Sequence, residues 1–447
     1  MPVVAHVDGV GGTPWRSDVS ITNREAVPIE VKLRYQPAAG TTLSRAYTLD
    51  AFQTLLFEDI VQTVFRAGDG RGPIRVETIG SGVLEPAIAS RTVAQRSFGT
   101  LGQGVPAVVR PRAGRFYLPG LRHDDDYRSN IAVTAAADEA VIATFALYRG
   151  VGGRVAGGVT RSVAAGEQRQ WPVDQLFPGH ARAGEPMTVE VSLSRPGVAY
   201  ASVVDNVSTD GVTYLGTQPE YDWLVPAVAH LSGKDGTFWS SDVTVANLGA
   251  GDANIDLEYL PEKVDNSSGG VVRWNLRIRA GVTHCFEDVV LDQFGVDDGK
   301  GVLRISATQP IVVTSRVWTS GPSGGTTGHG LQTVVRERLA RDTTVLPGIR
   351  VRDGFRTNVG VVTGDTWASV RFRLRDQNGT EHGDVYVDVP ARSMRQWSVE
   401  SLFGAARSQN LDPTGSLVVD SDADFFAYLV VIDGSSQDPV FFLPSRN

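Results

Sequence analysis

A short pattern that recurs four times limits what this chain can fold into more than any other feature. It reads Trp15-Arg16-Ser17-Asp18-Val19-Ser20-Ile21 and returns as Tyr127-Arg128-Ser129-Asn130-Ile131-Ala132-Val133. It returns again as Trp239-Ser240-Ser241-Asp242-Val243-Thr244-Val245 and as Phe355-Arg356-Thr357-Asn358-Val359-Gly360-Val361, at intervals of 112, 112 and 116 residues. Self-similarity at a fixed period marks a chain built from duplicated units. Residues 5–23 align without a gap on 229–247, with 10 of the 19 positions identical. Copies two and four share a different lead-in, Leu118-Pro119-Gly120-Leu121-Arg122 and Leu346-Pro347-Gly348-Ile349-Arg350. The order is therefore A-B-A′-B′, a duplicated pair, with modules expected at residues 1–110, 111–221, 222–340 and 341–447.

Within a module the apolar period is two. Ile29, Val31, Leu33 and Tyr35 alternate with Glu30, Lys32, Arg34 and Gln36, and Val370, Phe372 and Leu374 alternate with Arg371, Arg373 and Arg375. That period belongs to half-buried strands of antiparallel sheets. Asn378-Gly379 ahead of Val385, Val387 and Val389 predicts a hairpin, because both turn residues tolerate positive φ. Helical spacing is confined to short pieces near residues 57–64 and 286–290, and to single turns at 173–177 and 399–403. Six or seven short strands per module predict an all-β chain of four tandem immunoglobulin-like antiparallel β-sandwiches, with a closed barrel as the alternative. The connections at 102–115, 216–226 and 336–346 carry apolar and aromatic residues, so they are expected to pack against their neighbours. The chain is then a stiff rod or a compact pair of A+B units.

The A and B modules differ in a coordinated way. Both A modules have Asp in the motif (Asp18, Asp242) and Arg in the last strand (Arg91, Arg316), whereas both B modules have Asn and no such Arg. A buried carboxylate is costly unless paired. This predicts ion pairs Asp18–Arg91 and Asp242–Arg316.

Composition narrows the function. The net charge of -8 opposes bulk nucleic-acid or anionic-membrane binding. A single Cys excludes a disulfide framework and Cys-built metal sites, and no apolar run reaches the ~18 residues of a membrane span. No cofactor motif is present. His6, Ser17 and Asp18 recur as His230, Ser241 and Asp242, but adjacent Ser and Asp on a strand face opposite ways, which opposes a catalytic triad. Asp205, Asp210, Asp433 and Asp438 follow the final strand of each B module and are the Ca²⁺ candidates, against a role in capping the sandwich end. Trp223, Trp318 and Trp367 do not recur as Trp in the aligned modules and are the candidate ligand contacts.

The Gly-Thr-x-Trp-x-Ser-Asp-Val run of the A modules, their Glu-Asp-[Ile/Val]-Val segment and the B-type ending from Val430 to Pro444 carry a family likeness. They resemble tandem β-sandwich, immunoglobulin-like repeat modules of bacterial exported proteins of unassigned activity. The resemblance implies an extracellular or cell-surface setting. Residues 1–6 show no signal peptide, so a leader removed on export is the expectation and a cytoplasmic chain the alternative. The leading expectation is a non-enzymatic structural or adhesive protein that presents rigid modules to a protein partner or to itself. A carbohydrate-binding array accessory to polysaccharide degradation comes second. A hydrolase with its site at the A/B junction comes third.

Overall fold

Burial follows the sequence period strand by strand. Along Ile29–Tyr35 the four apolar side chains are buried, while Glu30 and Arg34 are exposed. Along Ala368–Asp376 the apolar residues Ala368, Val370, Phe372 and Leu374 are buried. A computed structural model of the chain describes residues 1–9, 12–80, 82–150, 153–268, 272–322 and 324–444. Among these the protein is all-β, with several antiparallel sheets and only short helices. The helices Ile60–Thr63, Val173–Leu176, Val289–Phe294 and Val399–Phe403 lie where short helical pieces were expected. Asn378-Gly379 turns the chain between the paired strands Ala368–Asp376 and Glu381–Val389, with Gly379 at φ 84°.

Separate cores are centred on Val19, Val31 and Ile60 in module A, on Ile131, Phe145 and Val191 in B, and on Val359, Phe372 and Phe425 in B′. In modules B and A′ one long strand passes through both layers. Met187–Asp205 pairs through its first half with Arg112–Leu121 and Val141–Arg149, and through its second half with Tyr127–Ala135 and Gly211–Leu215. Gly299–Ser320 does the same in A′. The corresponding strand is interrupted in the other two modules, as Ile74–Ile79 then Ala87–Arg96 in A, and as Gly415–Ser421 then Phe425–Asp433 in B′.

The chain forms two compact units, and their membership departs from sequence order. Residues 1–109 join 340–391 and 395–447 in unit 1, and residues 110–339 form unit 2 with 392–394. Module A is thus partnered with B′, and B with A′, so the compact units are not consecutive A+B pairs. The connections are themselves built into sheets. Gly99–Gly104 pairs with Ala87–Arg96 in A, and Glu220–Ser232 pairs with Gly299–Ser320 in A′. Each unit joins an A-type face to a B-type face, and the recurring polar residues converge there.

Candidate functional site

The B-type module delivers two carboxylates to each face from the tight loop that follows its last core strand. In unit 2, Asp205 Oδ1 accepts from Val207 N and Ser208 N, each at 2.8 Å, which closes the loop on itself. Its Oδ2 reaches across to the A′ strand Thr326–Leu331, accepting from Thr326 N and Oγ1, both at 2.8 Å. Asp210 Oδ2 accepts from Gly328 N two residues along at 2.8 Å. Unit 1 repeats this: Asp433 Oδ2 accepts from Thr100 N and Oγ1, both at 2.8 Å, and Asp438 Oδ2 from Gly102 N at 2.8 Å. The carboxylates grip the edge of the partner module's strand. Gly325 and its counterpart Gly99 permit this approach, because a Cβ would meet Asp205 Oδ1 at 2.6 Å or Asp433 Oδ1 at 2.9 Å, and both have positive φ. These four acids were the Ca²⁺ candidates. The structure places them as clamps between modules, since a cation would have to displace the N–H and O–H donors they already hold. Among the described residues no group of three His, Cys, Asp or Glu is arranged to hold a metal.

Beside the clamp, the aromatic residue that opens each B-type motif lies under two guanidinium groups. Arg91 of module A and Arg350 of B′ lie 4.8 and 4.1 Å from the Phe355 ring centroid. In unit 2, Arg316 of A′ and Arg122 of B lie 5.5 and 3.8 Å from that of Tyr127. Cation–π attraction is strongest where the cation is desolvated, as it is for the buried side chains of Arg91, Arg316 and Arg350.

Asp18 and Arg91 are direct neighbours in the ladder, with Arg91 Nη2 at 2.8 Å and Nε at 2.9 Å from Asp18 Oδ2. Arg350 Nη1 lies 3.6 Å from the same oxygen. The expected Asp242–Arg316 ion pair is corrected. The two are ladder neighbours, yet Arg316 donates to Tyr127 Oη at 3.0 Å and to Thr326 Oγ1 at 2.9 Å, and lies 3.6 Å from Asp210. One difference between the two sites is an oxygen atom. Tyr127 offers a hydroxyl acceptor that Phe355 lacks, and Arg316 bonds it across to module B while Arg91 bonds Asp18 within module A. Burial accordingly raises the Asp242 carboxyl above its ordinary value.

Both motif aspartates have a further duty. Asp18 Oδ1 accepts from Asp59 N, and Asp242 Oδ1 from Asp288 N, each at 3.0 Å. These two backbones are left-handed, with φ of 44° and 41°, and each opens the short helix of its A-type module. Asp59 and Asp288 in turn hold His6 and His230, with Nδ1–Oδ2 distances of 2.7 Å. Ser17 accepts from Ala5 N at 2.8 Å and bonds Thr92 Oγ1 at 2.7 Å, and Ser241 accepts from Ala229 N at 2.7 Å. The serines anchor a neighbouring strand, and the His–Asp pairs stand on other elements. The His–Asp pairing was missed in the sequence, although both partners recur in register in A and A′.

Unit 2 contains a partly open pocket of about 110 Å³ lined in part by Tyr127, Asp242, Cys285 and Arg316. Burial pushes the Cys285 thiol up to about 11, so it carries little thiolate at neutral pH. Burial and the Arg316 charge push His329 down to about 3. Trp223 is 2% exposed, with Nε1 donating to Ile311 O at 3.0 Å, which corrects its reading as a ligand contact. Trp318 is half-buried, and Trp367 is 55% exposed.

No protein-family model matches the chain, and no curated protein does. Among solved structures it is similar to a mutant of the major pilin from Streptococcus pyogenes, at 10% identity over 61% of this chain and 93% of that one, with a TM-score of 0.14. It is also similar to trypsin-activated alpha-2-macroglobulin from Escherichia coli, at 11% identity over 93% of this chain and 30% of that one, with a TM-score of 0.12. Among the described residues no helix is long and apolar enough to cross a membrane.

Proposed function

We propose that the protein is a non-enzymatic structural or adhesive component, working outside the cell or at its surface, that presents rigid paired β-sandwiches to a protein partner or to copies of itself. One observation carries this reading. In both units the recurring ionisable groups either hold an A-type module to a B-type module or brace the A-type module from within. Asp205, Asp210, Asp433 and Asp438 clamp a strand, Arg91 and Arg316 cover an aromatic ring, and His6 and His230 fix a helix turn. The same interface built twice is what selection for rigidity would preserve. An enzyme would instead expose a nucleophile or base in an accessible cleft. Size-exclusion chromatography with light scattering across a hundredfold range of concentration, together with adhesion of labelled protein to the producing cells, tests the proposal. Assembly or saturable adhesion is expected. A strictly monomeric, non-adherent chain would overturn it.

A further inference from the structure

Alternation along Ala368–Asp376 turns Arg373 and Arg375 away from the B′ core and toward module A. Together with Arg24 they line a partly open pocket of about 190 Å³ within unit 1, whose wall also includes Phe52, Val345 and Ser416. Among the described residues lining it there is no carboxylate.

Two buried side chains in this pocket hold unspent donors. Arg375 is 7% exposed, and its Nε and Nη1 have no hydrogen-bond partner among the described residues. Ser416 is 1% exposed, and its Oγ has none either. The Arg375 guanidinium lies 3.5 Å from the Phe52 ring centroid, and its Nη2 is 3.6 Å from Glu381. Arg373 spends Nη2 on Asp420 at 2.5 Å, which leaves its buried Nε without a partner. Burial holds the Arg375 guanidinium below its ordinary value. Unsatisfied buried donors are costly and call for an explanation.

The duplication supplies one. Strand register equates Arg375 with Tyr148, Arg373 with Ala146, Ser416 with Thr188, Val418 with Glu190 and Val345 with Tyr117. In unit 2 the same place is filled from within. Glu190 accepts from Tyr148 Oη at 3.0 Å and lies 3.2 Å from Arg115, and Thr188 Oγ1 bonds Thr283 Oγ1 at 2.9 Å. Tyr117 is buried there against Ala246 and Val312. Unit 1 exchanges that acid and that phenol for two valines, and puts guanidinium groups where unit 2 has Tyr148 and Ala146. The opening and its charge follow from these internal exchanges.

We propose that unit 1 binds a small carboxylate in this pocket, its carboxyl group standing where Glu190 stands in unit 2, against Arg375, Arg373 and Ser416, with its apolar part on Phe52 and Val345. The inference goes beyond the structural and adhesive reading and stands apart from it. Guanidinium donors suit a carboxylate because each bond is charge-assisted on both sides.

Isothermal titration calorimetry of the full chain with butyrate tests the site. Saturable binding is expected, at least about tenfold tighter than for butyramide, the neutral isostere, which forfeits the charge-assisted bonds. Arg373→Ala, at a half-buried position, is expected to weaken butyrate binding at least about fivefold. Val418→Glu rebuilds the internal acid of unit 2, and should abolish butyrate binding while raising the thermal midpoint. A capped Gly-Glu-Gly peptide separates the two sources of carboxylate. Binding comparable to that of butyrate assigns the site to an acidic side chain of a partner, and failure of the peptide where butyrate binds assigns it to a free small acid. Equal affinity for butyramide, tighter binding of inorganic phosphate, unchanged butyrate binding in Val418→Glu, or no saturable binding at tens of millimolar would each overturn the proposal.

Discussion

Arg316 donates to Tyr127 Oη at 3.0 Å, and this bond between modules replaces the one its ladder neighbour Asp242 would have provided. Tyr127→Phe should release Arg316 toward Asp242 and make unit 2 resemble unit 1. The Asp242 carboxyl, now raised by burial, should titrate lower in the variant, as read by NMR. The hydrogen bond to a charged donor is worth roughly 1.5–3 kcal/mol. The measured loss in urea unfolding should be smaller, because the new ion pair offsets part of it.

In unit 1 the corresponding charge pair is buried, with Arg91 6% and Asp18 9% exposed. Arg91→Ala leaves Asp18 facing only the more distant Arg350, and is expected to destabilise unit 1 by roughly 3 kcal/mol. Chemical denaturation followed by a probe in module A should show it. A loss below about 0.5 kcal/mol, the range of an ordinary surface substitution, would refute the pairing as a stabilising contact.

The clamp acids should matter more to docking than to either module's own fold. Asp433→Ala removes the acceptor of Thr100 N and Oγ1 and leaves a buried N–H without its partner, at about 1–3 kcal/mol. Hydrogen exchange should accelerate at Gly99–Gly104 while the amides of Ile29–Tyr35 stay protected. Equal acceleration at both strands would argue against a local role.

Acid should act unequally on the two units. His329 titrates near 3 when folded against 6.5 when free, so the unfolded chain binds the extra proton between these values. It therefore costs the folded state nothing above about pH 6.5 and destabilises it progressively as the pH falls from there toward about 3. The aligned position in module A is Gln103. His329→Gln should flatten the acid limb of unit 2, measured as urea midpoint against pH. An unchanged limb would place the sensitivity elsewhere.

What could be read from the sequence follows the range of each interaction. Alternation at Ile29–Tyr35 and Ala368–Asp376 is local, and the strands lie where it put them. Asp18 and Arg91 were found because the duplication supplied a comparison. The partners of Asp205 and Asp433 were not found, for they lie 121 and 333 residues away on another module. No periodicity marks a residue that will be touched by a neighbouring module. Trp223 misled for a related reason. It does not recur as Trp in the aligned modules, which suggested a contact of its own, yet the connection that carries it folds into A′ as a strand paired on both sides.

The pairing of the first module with the last also sets a timetable. A ribosome adds roughly 5–20 residues per second, and the face of module A that receives the clamp must await Asp433 and Asp438, more than three hundred residues after Gly102. Modules B and A′ emerge consecutively and can close at once, whereas the opening module stays uncovered for some tens of seconds. During that interval the amides of Thr100 and Gly102 await the carboxylates that will hold them.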